Sequence, residues 1–388
     1  MTPRYYSSVR DRWAYNHIQT KAVKQAFLSS PIYDNILSRL EPGDSIRLAK
    51  TCHDARAAHA DFLPRGYNID KLLRRYFDDP DEFRRLQART ATLISGSSAL
   101  QFLDRSFYKS SDLDLYTPRQ AVEEVWNWIL STGYFYKPTE FKPDFHHSAA
   151  DLRNDEHDDY VRGTDYKTNG ICAVYEFQKG DSVVQLIAAR HSPFHAIISF
   201  HSTIVMNFIT YEAAYSLYPK ATFDARIGAA NDEVTDKELE ALNKYRSRGW
   251  AITTEVSVLG QKRMKSLFLT DKKRWVLDRH AWRVPLKSID IPPRSITQTS
   301  VPLENDPAIV NSWKFTSDHE ISNTTGTFVV STLLKYRYMF GDDDLAMEVI
   351  QFLARQGKLQ YRAFELEGNS AADTRHSDGE LAQYDIII

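Results

Sequence analysis

The chain has 388 residues, 42% hydrophobic and 12% aromatic, which is enough to bury a sizeable core in two or three domains and excludes a disordered protein. Its 49 Lys and Arg against 51 Asp and Glu leave a net charge near −2, so it has no general attraction to nucleic acid or anionic membranes, and any phosphate-binding patch must be local. Residues 1–13 lack a signal-peptide core, and no run approaches about 18 uninterrupted apolar residues, so a soluble chain of the cytoplasm or nucleus is expected. Cys52 and Cys172 are too few for a disulfide framework or a cysteine zinc site and read as small buried residues.

Residues 1–90 read as an N-terminal helical region. Within residues 30–77, Ile32, Ile36, Leu37, Leu40, Ile46, Leu48 and Cys52 fall at helical spacing. Pro31 suits a first turn, Pro42-Gly43 breaks the first helix, and Asp44 can cap the second. This order resembles an F-box, through Pro31, Ile36, Leu37, Leu40, Asp44, Leu48 and Cys52; Ser30 and Tyr33 depart from the usual pattern. The resemblance implies an exposed stripe of Ile36, Leu37 and Leu40 that docks the small adaptor subunit of a cullin ubiquitin ligase. An ordinary helical hairpin packed on the next domain is the alternative.

Residues 91–290 read as the central domain. A short strand at 92–95 is followed by a Gly96-Ser97 turn and a helix over 99–107. Asp112-Leu113-Asp114-Leu115-Tyr116 alternates with period two, so its carboxylates share one strand face. Pro118 starts a helix whose core stripe is Val122, Val125, Trp126, Ile129 and Leu130. Residues 136–168 read as a polar, solvated insertion; its His146, His147 and His157 have no recognised ligand spacing. Two strands, 171–177 and 182–188, flank a Lys179-Gly180 hairpin turn. A further strand over 200–210, a helix over 211–218 and a charged helix over 236–248 follow. Residues 291–388 read as a C-terminal α/β extension with a late helix at 345–355. Lys262, Arg263, Lys265, Lys272, Lys273 and Arg274 make a basic cluster that faces either solvent or a phosphate.

The text LISGSSALQFLDRSFYKSSDLDLY resembles the nucleotidyltransferase superfamily signature: a hydrophobic strand, Gly-Ser opening a helix, then an Asp-hydrophobic-Asp strand. Its Ser-Ala-Leu and Ser111 also resemble nucleotidyltransferase toxins of bacterial toxin-antitoxin pairs. The resemblance implies an α+β fold, a nucleotidyltransferase-fold mixed sheet flanked by helices and preceded by the small F-box-like helical module. It implies Mg²⁺ held by Asp112 and Asp114, and a nucleoside triphosphate over Gly96, Ser97 and Ser98, with Arg105 and Lys109 as phosphate-binding or helix-capping candidates. The family's third carboxylate is absent: Gln185 stands in its place. A Lys179-Gly180 turn would set Glu176 opposite Val183, diagonal to Gln185 and within reach at about 7 Å, as a substitute acid or a solvent-facing residue. FHSTIVMNFITYEAAYSLYP and YRSRGW resemble text shared by uncharacterised fungal proteins in which an F-box-like segment precedes this signature. The readings that follow are nucleotidyl transfer to a nucleic-acid or protein acceptor, a non-catalytic F-box adaptor, and a nucleotide-sensing pseudoenzyme.

Overall fold

The computed structural model describes residues 23–108, 111–138, 170–230, 236–253, 266–291, 306–317, 322–331 and 333–370. Its centre is an eight-stranded mixed sheet flanked by helices. The strands are β1 (Leu93–Ser95), β2 (Leu113–Pro118), β3 (Phe135–Tyr136), β4 (Ile171–Lys179), β5 (Ser182–Ala189), β6 (Asn207–Ile209), β7 (Ala213–Ser216) and an edge strand Trp282–Pro285. They lie in the order edge strand, β7, β6, β1, β2, β5, β4, β3. β2 and β5 run parallel, and the other neighbour of each, β1 and β4, is antiparallel to it.

The helix Val122–Ser131 covers one sheet face as its stripe predicts: Val122, Val125, Trp126 and Ile129 are buried. Leu130 is left exposed. Trp126 meets the rings of Tyr175 and Phe177 at 5.3 and 4.7 Å, edge-on, the geometry that aromatic quadrupoles favour.

The β4–β5 hairpin corrects the predicted register. Its two-residue turn is Gly180-Asp181, closed by Lys179 opposite Ser182. Gly180 has φ +58°, and the first position of such a turn takes a glycine far more easily than a lysine. Glu176 therefore lies directly opposite Gln185, and Val183 faces Gln178.

The segment read as a helix over 211–218 is strand β7. Thr210 makes the turn: its amide donates to the Ala213 carbonyl at 2.9 Å and its hydroxyl accepts from the amides of Glu212 and Ala213. The chain then runs back along β6, with Asn207 opposite Ser216. All four β7 residues are buried, so burial and ladder bonding override the helical preference of Glu-Ala-Ala.

Residues on both sides of position 290 share one core. Trp313 is fully buried and its indole N–H donates to the Tyr218 hydroxyl at 2.8 Å. Arg274, from the predicted basic cluster, is buried beneath it, held by Asp278 at 2.5 Å and the Leu217 carbonyl at 2.9 Å, so it faces neither solvent nor a phosphate. Lys273 pairs with Asp342. The late helix is longer than predicted, Asp343–Ser370.

The N-terminal helices Ser30–Arg39, Pro42–Ala49 and His53–Gly66 enclose a small core of Tyr33, Leu37, Ala58 and Phe62. Leu37 is fully buried and Leu40 packs against this core, whereas Ile32 and Ile36 are exposed. The predicted stripe is thus corrected to Ile32 and Ile36, one helical turn apart on the outer face. Pro42 opens the second helix instead of breaking the first, and Asp44 sits in its first turn, paired with Arg47. Cys52 is exposed, not buried; its sulfur caps the third helix by accepting from the Ala55 amide. The module is fastened to the central domain by Arg47 to Asp224 (2.8 Å), Arg226 to Glu41 (2.7 Å) and Arg105 to the Leu37 carbonyl (2.8 Å).

The polar insertion from residue 139 with His146, His147 and His157, and also Lys109, Lys262, Arg263 and Lys265, lie outside the described residues. Among the described residues no helix is long and apolar enough to cross a membrane.

Candidate functional site

Gly96 ends β1 and opens the helix Gly96–Asp104 with φ +64°. Antiparallel pairing of β1 with β2 puts Ser95 opposite Asp114. The Asp114 carboxylate therefore lies against Gly96: a Cβ built there would meet Asp114 Oδ2 at 2.3 Å. What the glycine first makes room for is this carboxylate, at the amino end of a helix whose free amides point the same way.

Asp112 lies just before β2, two residues from Asp114, and both are half-buried. Burial pushes the Asp114 carboxyl up to about 7, and the Asp112 charge adds to the rise. Burial also raises Asp112, followed by the charge of Glu176. Lys244 opposes both shifts. The two acids thus form a pair whose repulsion is only partly relieved.

Serines hold this pair in place. Ser98 is fully buried and donates to the Asp112 carbonyl at 2.8 Å, so it positions the strand entry and has no access to a ligand. Ser97 is half-buried and shares a hydrogen bond with Ser111 at 3.1 Å. Gln101 donates to Ser111 Oγ at 2.7 Å and to the Ser97 carbonyl at 3.1 Å. Tyr76 donates to the Ser111 carbonyl at 2.6 Å.

Across the sheet, Asp114, Gln185 and Glu176 stand abreast on β2, β5 and β4. Gln185 makes a long 3.5 Å approach from Nε2 to Asp112 Oδ2. Glu176 is paired with Lys137 at 2.8 Å. Arg105 does not join this group. It ends the Gly96 helix, about 13 Å along it from the glycine by helical rise, and its guanidinium donates to the carbonyls of Leu37 and Leu40.

No family model, no curated protein and no solved structure matches the chain.

One later helix brings two further residues to the carboxylates. Lys244 and Tyr245 lie on the helix Asp236–Ser247, and Arg248 follows it. Tyr245 is buried, and its hydroxyl is raised by burial and then by Asp114. The Arg248 guanidinium stacks on Tyr108 at 3.7 Å, with Nη1 buried and unbonded. The sequence carried a signal, the YRSRGW text at the end of a charged helix, but its spacing gave no role.

The donor set fits one Mg²⁺, which prefers oxygen ligands and is held by one or two carboxylates together with substrate phosphates. Among the described residues no group of three or more His, Cys, Asp or Glu side chains is placed to hold a metal ion. The fit rests on Asp112 and Asp114, with the neutral Gln185 side chain turning its Nε2 toward Asp112.

Proposed function

We propose that this chain is a nucleotidyltransferase-fold protein that binds a nucleoside triphosphate with Mg²⁺ at Asp112 and Asp114. The observation that carries the reading is the Asp114 carboxylate seated against Gly96 at the start of a helix, with Asp112 beside it and no carboxylate of β5 to complete them. Ser97 and the first amides of the Gly96 helix are the donors for triphosphate oxygens. Lys244 supplies the positive charge that acts on both acids. Bound Mg²⁺ would offset the charge of the two acids and of the triphosphate.

The arrangement supports transfer as well as binding. In that step a hydroxyl oxygen of the acceptor attacks the α-phosphorus, the bond to the β-phosphate oxygen breaks, and pyrophosphate leaves. Among the described residues Glu176 is the acid abreast of Gln185 on the side away from Asp114, and it would take the hydroxyl proton. Its pairing with Lys137 is partly solvated, and pairs of that kind contribute little to stability, so Glu176 can be released without great cost.

Titration calorimetry of the full chain with a triphosphate tests the reading. Wild type should bind with Mg²⁺ and not with a chelator. Asp112→Asn with Asp114→Asn should weaken binding more than about 100-fold, because amide oxygens do not balance the triphosphate–metal charge. Binding retained by the double variant, or indifferent to Mg²⁺, sinks the reading.

A second reading concerns the N-terminal module, and the exposed Ile32 and Ile36 favour it. We propose that this face docks the adaptor subunit of a cullin ligase. Ile32→Asp with Ile36→Asp should abolish co-purification with that adaptor while the melting curve stays within about 1 kcal/mol of wild type, as expected for surface changes. Leu37→Asp should instead unfold the module. If the two outer changes leave co-purification intact, the adaptor surface is not here.

A further inference from the structure

A cavity of about 320 Å³ lies between the N-terminal module and the carboxyl end of the Gly96 helix. Its charged lining is entirely cationic: Arg65, Lys71, Arg75 and Arg105. Arg65 is compensated by Asp34 (2.8 Å) and Asp61 (2.5 Å). The other three have no carboxylate partner among the described residues. Arg105 spends its terminal nitrogens on the carbonyls of Leu37 and Leu40, and its Nε is buried without a hydrogen-bond partner. Arg75 reaches only the Tyr108 carbonyl, at 3.4 Å, and its guanidinium stacks on Phe107 at 4.7 Å. Lys71 is exposed. Uncompensated positive charges gathered around one cavity repel one another, and a bound anion would offset that cost.

Phe107 closes one side of this cavity and is 68% exposed, with Arg75 on one ring face only. An exposed aromatic ring backed by a guanidinium beside cations is the combination that stacks a nucleobase and holds its phosphate. The volume, near the lower end of small-ligand cavities of about 300–1,000 Å³, suits one nucleotide.

We propose that this cavity is a second anion site that binds one nucleoside monophosphate, its phosphate on Lys71 and Arg75 with Arg105 adding positive charge behind them and its base on Phe107, supplied as free nucleotide or as the terminal residue of a strand. The site is distinct from the Asp112–Asp114 pair but wired to it. Gln101 forms part of the cavity wall, and its amide bonds Ser97 and Ser111 on the carboxylate side while its oxygen accepts from the Tyr108 amide at 2.7 Å. A bound nucleotide is thereby linked through Gln101 to Ser111, the residue before Asp112.

The test uses the full chain in a chelator, so that any metal-dependent site is silent, with fluorescent adenosine monophosphate and a short 5′-phosphorylated single strand as probes. Saturable binding of either probe is expected, and binding of neither overturns the proposal. Lys71→Glu should weaken it at least about tenfold through loss of a charge-assisted contact, and so should Arg75→Gln in a sample shown by circular dichroism to be folded. Phe107→Ala should lower affinity for the monophosphate and leave that for inorganic phosphate unchanged. Binding indifferent to Lys71, Arg75 and Phe107 overturns the assignment. Asp112→Asn with Asp114→Asn should not affect it, which separates failure here from failure of the triphosphate site.

Discussion

Gly96→Ala should abolish metal-dependent nucleotide binding and destabilise the chain by roughly 2–4 kcal/mol, the sum of a left-handed backbone penalty and a displaced buried carboxylate. The residue has φ +64°, which alone strains an alanine. The larger effect is spatial, because the new Cβ would stand 2.3 Å from Asp114 Oδ2, and Asp114 is fixed by its pairing with Ser95 and Gln185. Gly180→Ala is the control. Its φ is +58° with nothing within 4 Å of the added methyl, so only the backbone penalty of about 1 kcal/mol applies and nucleotide binding should persist. Denaturant unfolding and titration calorimetry on both variants separate the two contributions. Wild-type binding by Gly96→Ala would show that the position of Asp114 does not matter to the ligand.

Gln185→Asp should change the protein in two opposite directions. Without metal it places a third carboxylate abreast of Asp114 and Glu176, where Asp114 is already pushed up to about 7 by burial and by Asp112. Like charges this close repel, so a loss of about 1–2 kcal/mol is expected in a chelator. With Mg²⁺ the added charge becomes a ligand, and affinity for the metal should rise at least about tenfold. Thermal melts with and without Mg²⁺ read both effects from one sample: the variant melts below wild type in chelator and gains more on adding the metal. Equal gains for the two proteins would mean that position 185 does not face the metal. If the variant also transfers nucleotide where wild type does not, Glu176→Gln in that background should remove the activity.

The strand that carries Asp114 was legible from Asp112-Leu113-Asp114-Leu115-Tyr116, because strand periodicity is a local property of the chain, but it begins at Leu113 and leaves Asp112 just before it. A helix after β1 and the buried stripe of the Val122 helix were legible for the same reason, although the first spans Gly96–Asp104 and not 99–107 and the stripe loses Leu130 to solvent. The Glu176–Gln185 pairing was misread by a single turn position: the backbone conformation of Lys179, Gly180 and Asp181 decides it, and text alone leaves two placements of a two-residue turn open. Strand β7 was misread because burial on both faces, absent from local propensity, outweighs the helical preference of its residues.

By itself, then, the sequence determined the short-range features: which residues alternate, where a glycine punctuates strand and helix, and that Gln185 carries no charge. Tertiary structure alone decided which distant groups meet. It set Glu176 beside Gln185, brought Lys244 and Tyr245 to the acids from a helix more than a hundred residues later, and turned Ser98 and Arg105 from ligand candidates at the acids into internal fasteners. The physical reason is that local backbone preferences act over a few residues, whereas burial, ladder register and charge pairing act between elements with no fixed separation in the chain.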